Sequence, residues 1–140
     1  MSPPKSTAVE LSLPLRVYIE DTDAGGIVFY VNYLKYMERA RTELMRSLGF
    51  GKQFIFSRDL MFVVQEVSLK YLQAAYLDEQ LCATAKIKDC GAAYILLEQT
   101  VSRGKATLVG GDIKIVCVDR QSMKPRRIPG DMRQVLLAAV

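Results

Sequence analysis

The sequence contains no histidine among its 140 residues. That removes Ser-His-Asp and Cys-His catalysis and every metal site built on imidazole. Any acid–base chemistry falls to carboxylates, with Tyr, Lys or Cys in support. Cysteine is scarce: Cys82, Cys90 and Cys117 form no Cys-x-x-Cys pair. They read as buried thiols in a reducing, cytoplasmic setting, not as a disulfide framework, and no metal or cofactor is expected. No apolar run is long enough to insert into and span a membrane. The opening "MSPPKSTAVE" lacks the apolar segment of a secretory signal and reads as a flexible leader. Neither charge dominates. Lys plus Arg is 19, Asp plus Glu is 15, and the net charge is +4. That is too little for a nucleic-acid tail, and the strands carry no basic, aromatic-studded face. There are no repeats and no low-complexity tracts.

Half of the residues are hydrophobic, enough for one domain with a real core, assigned to 13–140 after a leader at 1–12. A strand is expected at 13–19, with Val17 and Ile19 on one face. Over 31–48, Tyr33, Met37, Ala40, Leu44 and Leu48 recur at helical spacing, while Arg39 and Glu43 stand one turn apart elsewhere. Gly49 and Gly51 stop that helix. No clean period follows until the pattern switches to alternation. Val67, Leu69 and Tyr71 alternate with polar residues, and so do Leu81, Ala83, Ala85 and Ile87. Turns near Gly91 and Gly104 join further apolar strands through "IVCVD", and Pro129 opens a last short helix. The class is α+β, one long helix against an antiparallel β-sheet. One helix covers one face, and the strands are too apolar for the other to stay bare, so self-association is expected.

The stretch "EDTDAGGIVFYVNY" at 20–33 sets three carboxylates and two glycines before an apolar, aromatic run. Asp21 and Asp23 are separated by a single residue and need not act as a pair. Asp21 is expected to bond the loop backbone as an Asx-turn, leaving Asp23 to face whatever the glycines admit. A helix N-terminus follows at once, with unpaired N–H groups and the positive end of the dipole. Those groups can polarise a carbonyl and hold the oxyanion formed on attack.

The segment "EDTDAGGIVFYVNYLKYMERARTELMRSLG" closely resembles the signature of the 4-hydroxybenzoyl-CoA thioesterase family, in particular its YbgC-like acyl-CoA thioesterase branch. The "VDRQSMKPRRIP" segment resembles that branch's C-terminal motif, and the similarity runs from about 13 to 129. It implies a hotdog fold, in which the sheet wraps a central helix and two subunits pair into a longer sheet. It also implies a homodimer or homotetramer with its sites at the subunit interface. By position, Asp23 matches the catalytic carboxylate, as nucleophile or general base, and the Tyr30 N–H matches the donor to the thioester carbonyl. Phe29 and Tyr33 would shape the acyl pocket. Lys124, Arg126 and Arg127 would meet the coenzyme A phosphates. Tyr30 stands where many YbgC-like proteins have His, as it does in the hydroxybenzoyl-CoA enzymes. The turn at 89–93 has none of the basic residues that some relatives carry. The activity implied is hydrolysis of a short-chain or aromatic acyl-CoA. The alternative is a non-catalytic module that binds acyl-CoA or acyl carrier protein. A hotdog hydratase is disfavoured, because that chemistry resembles an Asp-plus-His pair and there is no histidine.

Overall fold

The computed structural model describes residues 9–140. The first strand, β1 (Glu10–Arg16), is followed by a 3-10 turn (Ile19–Asp21) and the long helix α1 (Tyr30–Ser47). Then come a short helix α2 (Lys52–Ser57), four strands β2 (Leu60–Tyr71), β3 (Gln80–Cys90), β4 (Tyr94–Arg103) and β5 (Ala106–Asp119), and a closing helix α3 (Gly130–Ala138). The strands form one sheet in the order β1-β3-β4-β5-β2, with every neighbouring pair antiparallel.

The helix and sheet fit because their apolar periods face each other. Tyr33, Tyr36, Met37, Ala40 and Leu44 form the buried stripe of α1. Leu81, Ala83, Ala85 and Ile87 form the buried face of β3. Alanines at the centre of both surfaces let the helix lie close to the sheet, where long side chains would hold it off. The β2–β5 pair is as tight. A Cβ at Gly111 would come within 2.0 Å of the Ser68 carbonyl oxygen, so only glycine fits there.

Three boundaries differ from expectation. β1 begins at Glu10 and takes in residues 10–12 of the assigned leader, because Leu11 joins Leu13 and Leu15 in packing against the core. The rest of that leader, 1–8, lies outside the described residues. β1 ends at Arg16, and Ile19 stands exposed in the 3-10 turn while Val17 is buried. β2 starts at Leu60, before the alternation becomes readable, because its register shifts between Val64 and Glu66. A bulge of that kind resets which face a residue occupies.

Among the described residues, no helix is long and apolar enough to cross a membrane, and no group of three or more potential metal ligands is found. All three cysteines are free. β2 is an edge strand, and Val64, Val67 and Tyr71 on it are exposed. An apolar edge with unpaired backbone groups is a template for pairing.

Candidate active site

The chain leaves β1 and rolls Asp21 inward. Its Oδ2 accepts the Tyr18 N–H at 2.9 Å, and its Oδ1 accepts the Asn32 Nδ2–H at 2.7 Å. Asn32 is the third residue of α1. One carboxylate therefore clasps the loop to the first turn of the helix. Asp21 is 7% exposed and Asn32 8%, and the Phe29 N–H adds a bond to the Asp21 carbonyl at 3.0 Å. A buried carboxylate is tolerated only with such donors.

Asp23 faces the other way. Thr22 is extended and bridges to Val28, the Asp23 N–H donates to Ile27 O at 2.9 Å, and the Gly26 N–H donates to Asp23 O at 3.1 Å. Gly26 has φ +81°, which a side chain would strain. The segment is a tight antiparallel loop with an exposed Asp23 near its tip. Asp23 Oδ1 accepts the Gly25 N–H at 2.8 Å, and Oδ2 has no hydrogen-bond partner among the described residues. The expected Asx-turn thus belongs to Asp23 and not to Asp21. The 3-10 turn buries the first acid, and the extended residue after it points the second outward.

The returning arm of the loop runs straight into the helix. Phe29 is extended and α1 begins at Tyr30. The N–H groups of Tyr30 and Val31 have no acceptor within the helix, and no acidic residue occupies its first turn. Asp21 is bonded to this end through Asn32, and no side chain among the described residues caps the helix N–H groups, which carry the positive end of the helix dipole. Tyr30 is 61% exposed; its ring lies 4.9 Å from Phe29 and meets Tyr71 edge-on at 6.3 Å. Phe29 is also exposed and stands in the same surface. Tyr33 is buried instead. Its hydroxyl accepts the Ala75 N–H at 2.9 Å and its ring sits 5.8 Å from Tyr71. Tyr33 therefore supports this wall from behind. The Val28 N–H bonds Ala75 O at 2.9 Å, and the Leu77 N–H bonds Gly26 O at 3.1 Å, so the segment after β2 straps the loop in place.

Beneath the clasp lies Tyr36, fully buried, with a hydroxyl that has no hydrogen-bond partner among the described residues. Burial raises its pKa, and the nearby Asp21 charge, close but outside bonding geometry, raises it further. The sign follows directly. Below its ordinary value of 10.0 the phenol is neutral in both states; above that, the unfolded chain ionises first and stability falls as pH rises. Tyr36→Phe removes an unsatisfied buried hydroxyl. It should hold stability within about 1 kcal/mol at pH 7 and lose less than wild type above pH 10. Urea unfolding at pH 7 and at pH 10.5 checks both, and equal alkaline losses in the two proteins contradict the assignment.

The three late basic residues are not equivalent. After β5, Asp119 Oδ2 accepts the N–H groups of Gln121 (3.1 Å) and Ser122 (2.9 Å), and these bonds hold its carboxyl below the usual range. Val118 then bridges to Pro125. Arg126 is turned inward, with Nη1 donating to Arg58 O at 2.9 Å and to Asp59 O at 3.5 Å. It braces the turn into β2. Lys124 and Arg127 are exposed, and their side chains have no partner among the described residues.

Asn32 was not singled out by sequence reasoning. A polar residue among the apolar and aromatic residues of the first turn was the available signal. A cavity of about 440 Å³ opens between α1, α2, β2 and β5; none of residues 21–33 lines it.

A sheet of this order wrapped on one helix, with an acidic loop at the helix start, defines a class. Residues 25–109 match the model of the thioesterase superfamily, and the chain belongs to that superfamily. The matched span begins two residues after Asp23. Acyl-CoA thioesterase YbgC of Haemophilus influenzae is 41% identical over 123 residues, covering 87% of this chain and 90% of that protein. Acyl-CoA thioester hydrolase YbgC of Escherichia coli is 37% identical over 117 residues, covering 83% and 87%. Among solved structures, a probable thioesterase from Bartonella henselae superposes with a TM-score of 0.81 at 30% identity, covering 86% of this chain and all (100%) of that one. The fold is the hotdog fold.

Proposed function

We propose that the chain is an acyl-CoA thioester hydrolase acting on short or aromatic acyl groups, with Asp23 as its reacting carboxylate. One observation carries the reading. An exposed carboxylate stands on a loop clasped through Asp21 and Asn32 to a helix end with free N–H groups. The thioester carbonyl oxygen lies at the Tyr30 N–H, which stabilises the oxyanion as it forms. Asp23 Oδ2, the oxygen not tied to Gly25, is the reacting atom. As nucleophile it bonds to the carbonyl carbon, the C–S bond breaks, and CoA leaves as thiolate. The acyl–aspartyl anhydride then adds water and returns free acid and carboxylate. As general base it takes a proton from the water that adds to the same carbon.

The exposed aromatic wall and the bare β2 edge support a homodimer. Two copies paired antiparallel along β2 continue the sheet and bring the Tyr71 end of one beside the Leu60 end of the other. Tyr71 touches Tyr30, and the 440 Å³ cavity has Met61, Phe62 and Val64 in its wall. The acyl group held at one Asp23 therefore enters the second copy's cavity. The three free thiols support a reducing, cytoplasmic setting.

The exposed Lys124 and Arg127 meet the phosphates of coenzyme A. Replacing both with Ala should raise KM for CoA thioesters about two- to tenfold with kcat nearly unchanged, since distant charge contacts are uniform binding. The effect should shrink with added salt and vanish for truncated pantetheine thioesters. An equal KM change for both substrate types contradicts phosphate binding. Arg126→Ala should instead lower stability by about 1 kcal/mol, through lost bonds to Arg58 and Asp59.

A further inference from the structure

Gln99 on β4 has no exposed surface. Its Nε2 donates to Met37 O at 2.9 Å and to Thr84 O at 3.1 Å. Both amide hydrogens are used, so the orientation of the amide is fixed and Oε1 requires a donor. Arg41 Nη1 supplies it at 3.0 Å. That bond takes one of the guanidinium's five N–H groups. No carboxylate among the described residues forms an ion pair with Arg41. Glu38, one turn earlier, is exposed and only partly offsets the effect of burial, which pulls the Arg41 pKa down.

Arg41 also lines the cavity between α1, α2, β2 and β5. Its walls are largely apolar, with Met45, Phe50, Ile55, Phe62 and Ile115. Three other charged residues border it: Arg46 is paired with Glu43, Lys52 is exposed with its Nζ over the Phe56 ring, and Glu38 is exposed. A largely apolar cavity bordered by a fixed cation that makes no ion pair among the described residues fits a ligand with an apolar body and an anionic tip.

We propose that this cavity receives an acyl group whose far end is a carboxylate, a dicarboxylic acid joined to CoA at one end, and that Arg41 is the residue that selects it. The inference rests on the shared-site reading above. Arg41 lies eleven residues along α1 from Tyr30, about 16 Å by the helical rise, out of reach of a short acyl group held at its own helix start. The second copy's Asp23 loop comes to the β2 wall of this cavity. The acyl methylenes lie against Phe62 and Ile115, and the distal carboxylate takes two of the free Arg41 N–H groups.

Two measurements on the full-length chain test this. In the first, calorimetry compares free hexanoate with hexan-1-ol. Hexanoate should bind wild type about tenfold or more tightly than the alcohol, and Arg41→Met should abolish the difference. Arg41→Lys, which keeps the charge and a donor for Gln99, should retain part of it and serves if the Met variant does not fold. Equal binding of acid and alcohol by wild type overturns the proposal with no variant needed. In the second, kcat/KM is compared for adipyl-CoA and hexanoyl-CoA. Wild type should prefer adipyl-CoA about tenfold or more, and Arg41→Met should reverse the order. If hexanoate binds through Arg41 but adipyl-CoA is not preferred, the occupant is free acid and the substrate assignment fails. If neither thioester is hydrolysed while hexanoate still binds through Arg41, the hydrolase reading falls and the carboxylate site stands.

Discussion

Asp23→Asn lowers kcat by roughly 10²–10⁴, the usual cost of losing a general base, with KM nearly unchanged. The substitution keeps size, and its side-chain oxygen still accepts the Gly25 N–H that Oδ1 now holds at 2.8 Å. The loop therefore stays in place while the reacting charge is lost. Asp21→Asn does the opposite. Asp21 uses both oxygens inside the protein, on Tyr18 N–H and Asn32 Nδ2–H, and is buried. An amide there must point its NH₂ at one of two donors, so stability falls by about 1–3 kcal/mol. The rate loss is much the smaller of the two. Asn32→Ala removes one donor and should follow Asp21, not Asp23. Chemical denaturation alongside steady-state kinetics separates the two effects. A folded Asp23→Asn protein with near wild-type kcat refutes the assignment, and so does an Asp21→Asn protein that keeps full stability and loses its rate.

A double change on the β2 edge, Val64→Asp with Val67→Asp, abolishes self-association and lowers kcat/KM by about a hundredfold or more, the scale of misplaced catalytic geometry. The two valines are 50% and 41% exposed in one copy, so the fold itself loses little. Across an antiparallel pairing of two such edges, the four new carboxylates repel and desolvate one another. Sedimentation should then give a species of 15.7 kDa. Activity should fall in step with it, because the acyl group loses the cavity walls that the second copy supplies, and Val67→Asp alone, which leaves the cavity lining intact, should lower activity only as far as it dissociates the pair. A monomeric variant with full activity would place the whole site within one copy. That result removes both the shared site and the reach argument for Arg41.

What the sequence disclosed is what short-range pattern controls. Tyr33, Met37, Ala40 and Leu44 repeat at the helical period and lie buried along α1. Leu81, Ala83, Ala85 and Ile87 alternate and form the buried face of β3. The loop from Asp21 to Gly26 was legible as a candidate site because acid, glycine and helix start are contiguous. Which acid makes which bond was not. Asp21 and Asp23 are chemically identical, and their roles are set by a 3-10 turn that no periodic signal announces. The six residues of α2 are too few to display a helical period. The first half of β2 was hidden by the register shift after Val64. The Arg41–Gln99 contact spans 58 positions of sequence and exists only once α1 lies on β4. Arg126 looked like its neighbours Lys124 and Arg127 until the fold turned it onto the Arg58 carbonyl.

The most direct test of the account is release of free CoA thiol by the wild-type protein across a panel of acyl-CoA thioesters, from short aliphatic and dicarboxylic to aromatic. The account predicts saturable turnover on at least one of them, abolished by Asp23→Asn in a protein that remains folded. Tight binding of the panel with no thiol released from any member contradicts it and makes the chain a binding module for acyl-CoA or acyl carrier protein.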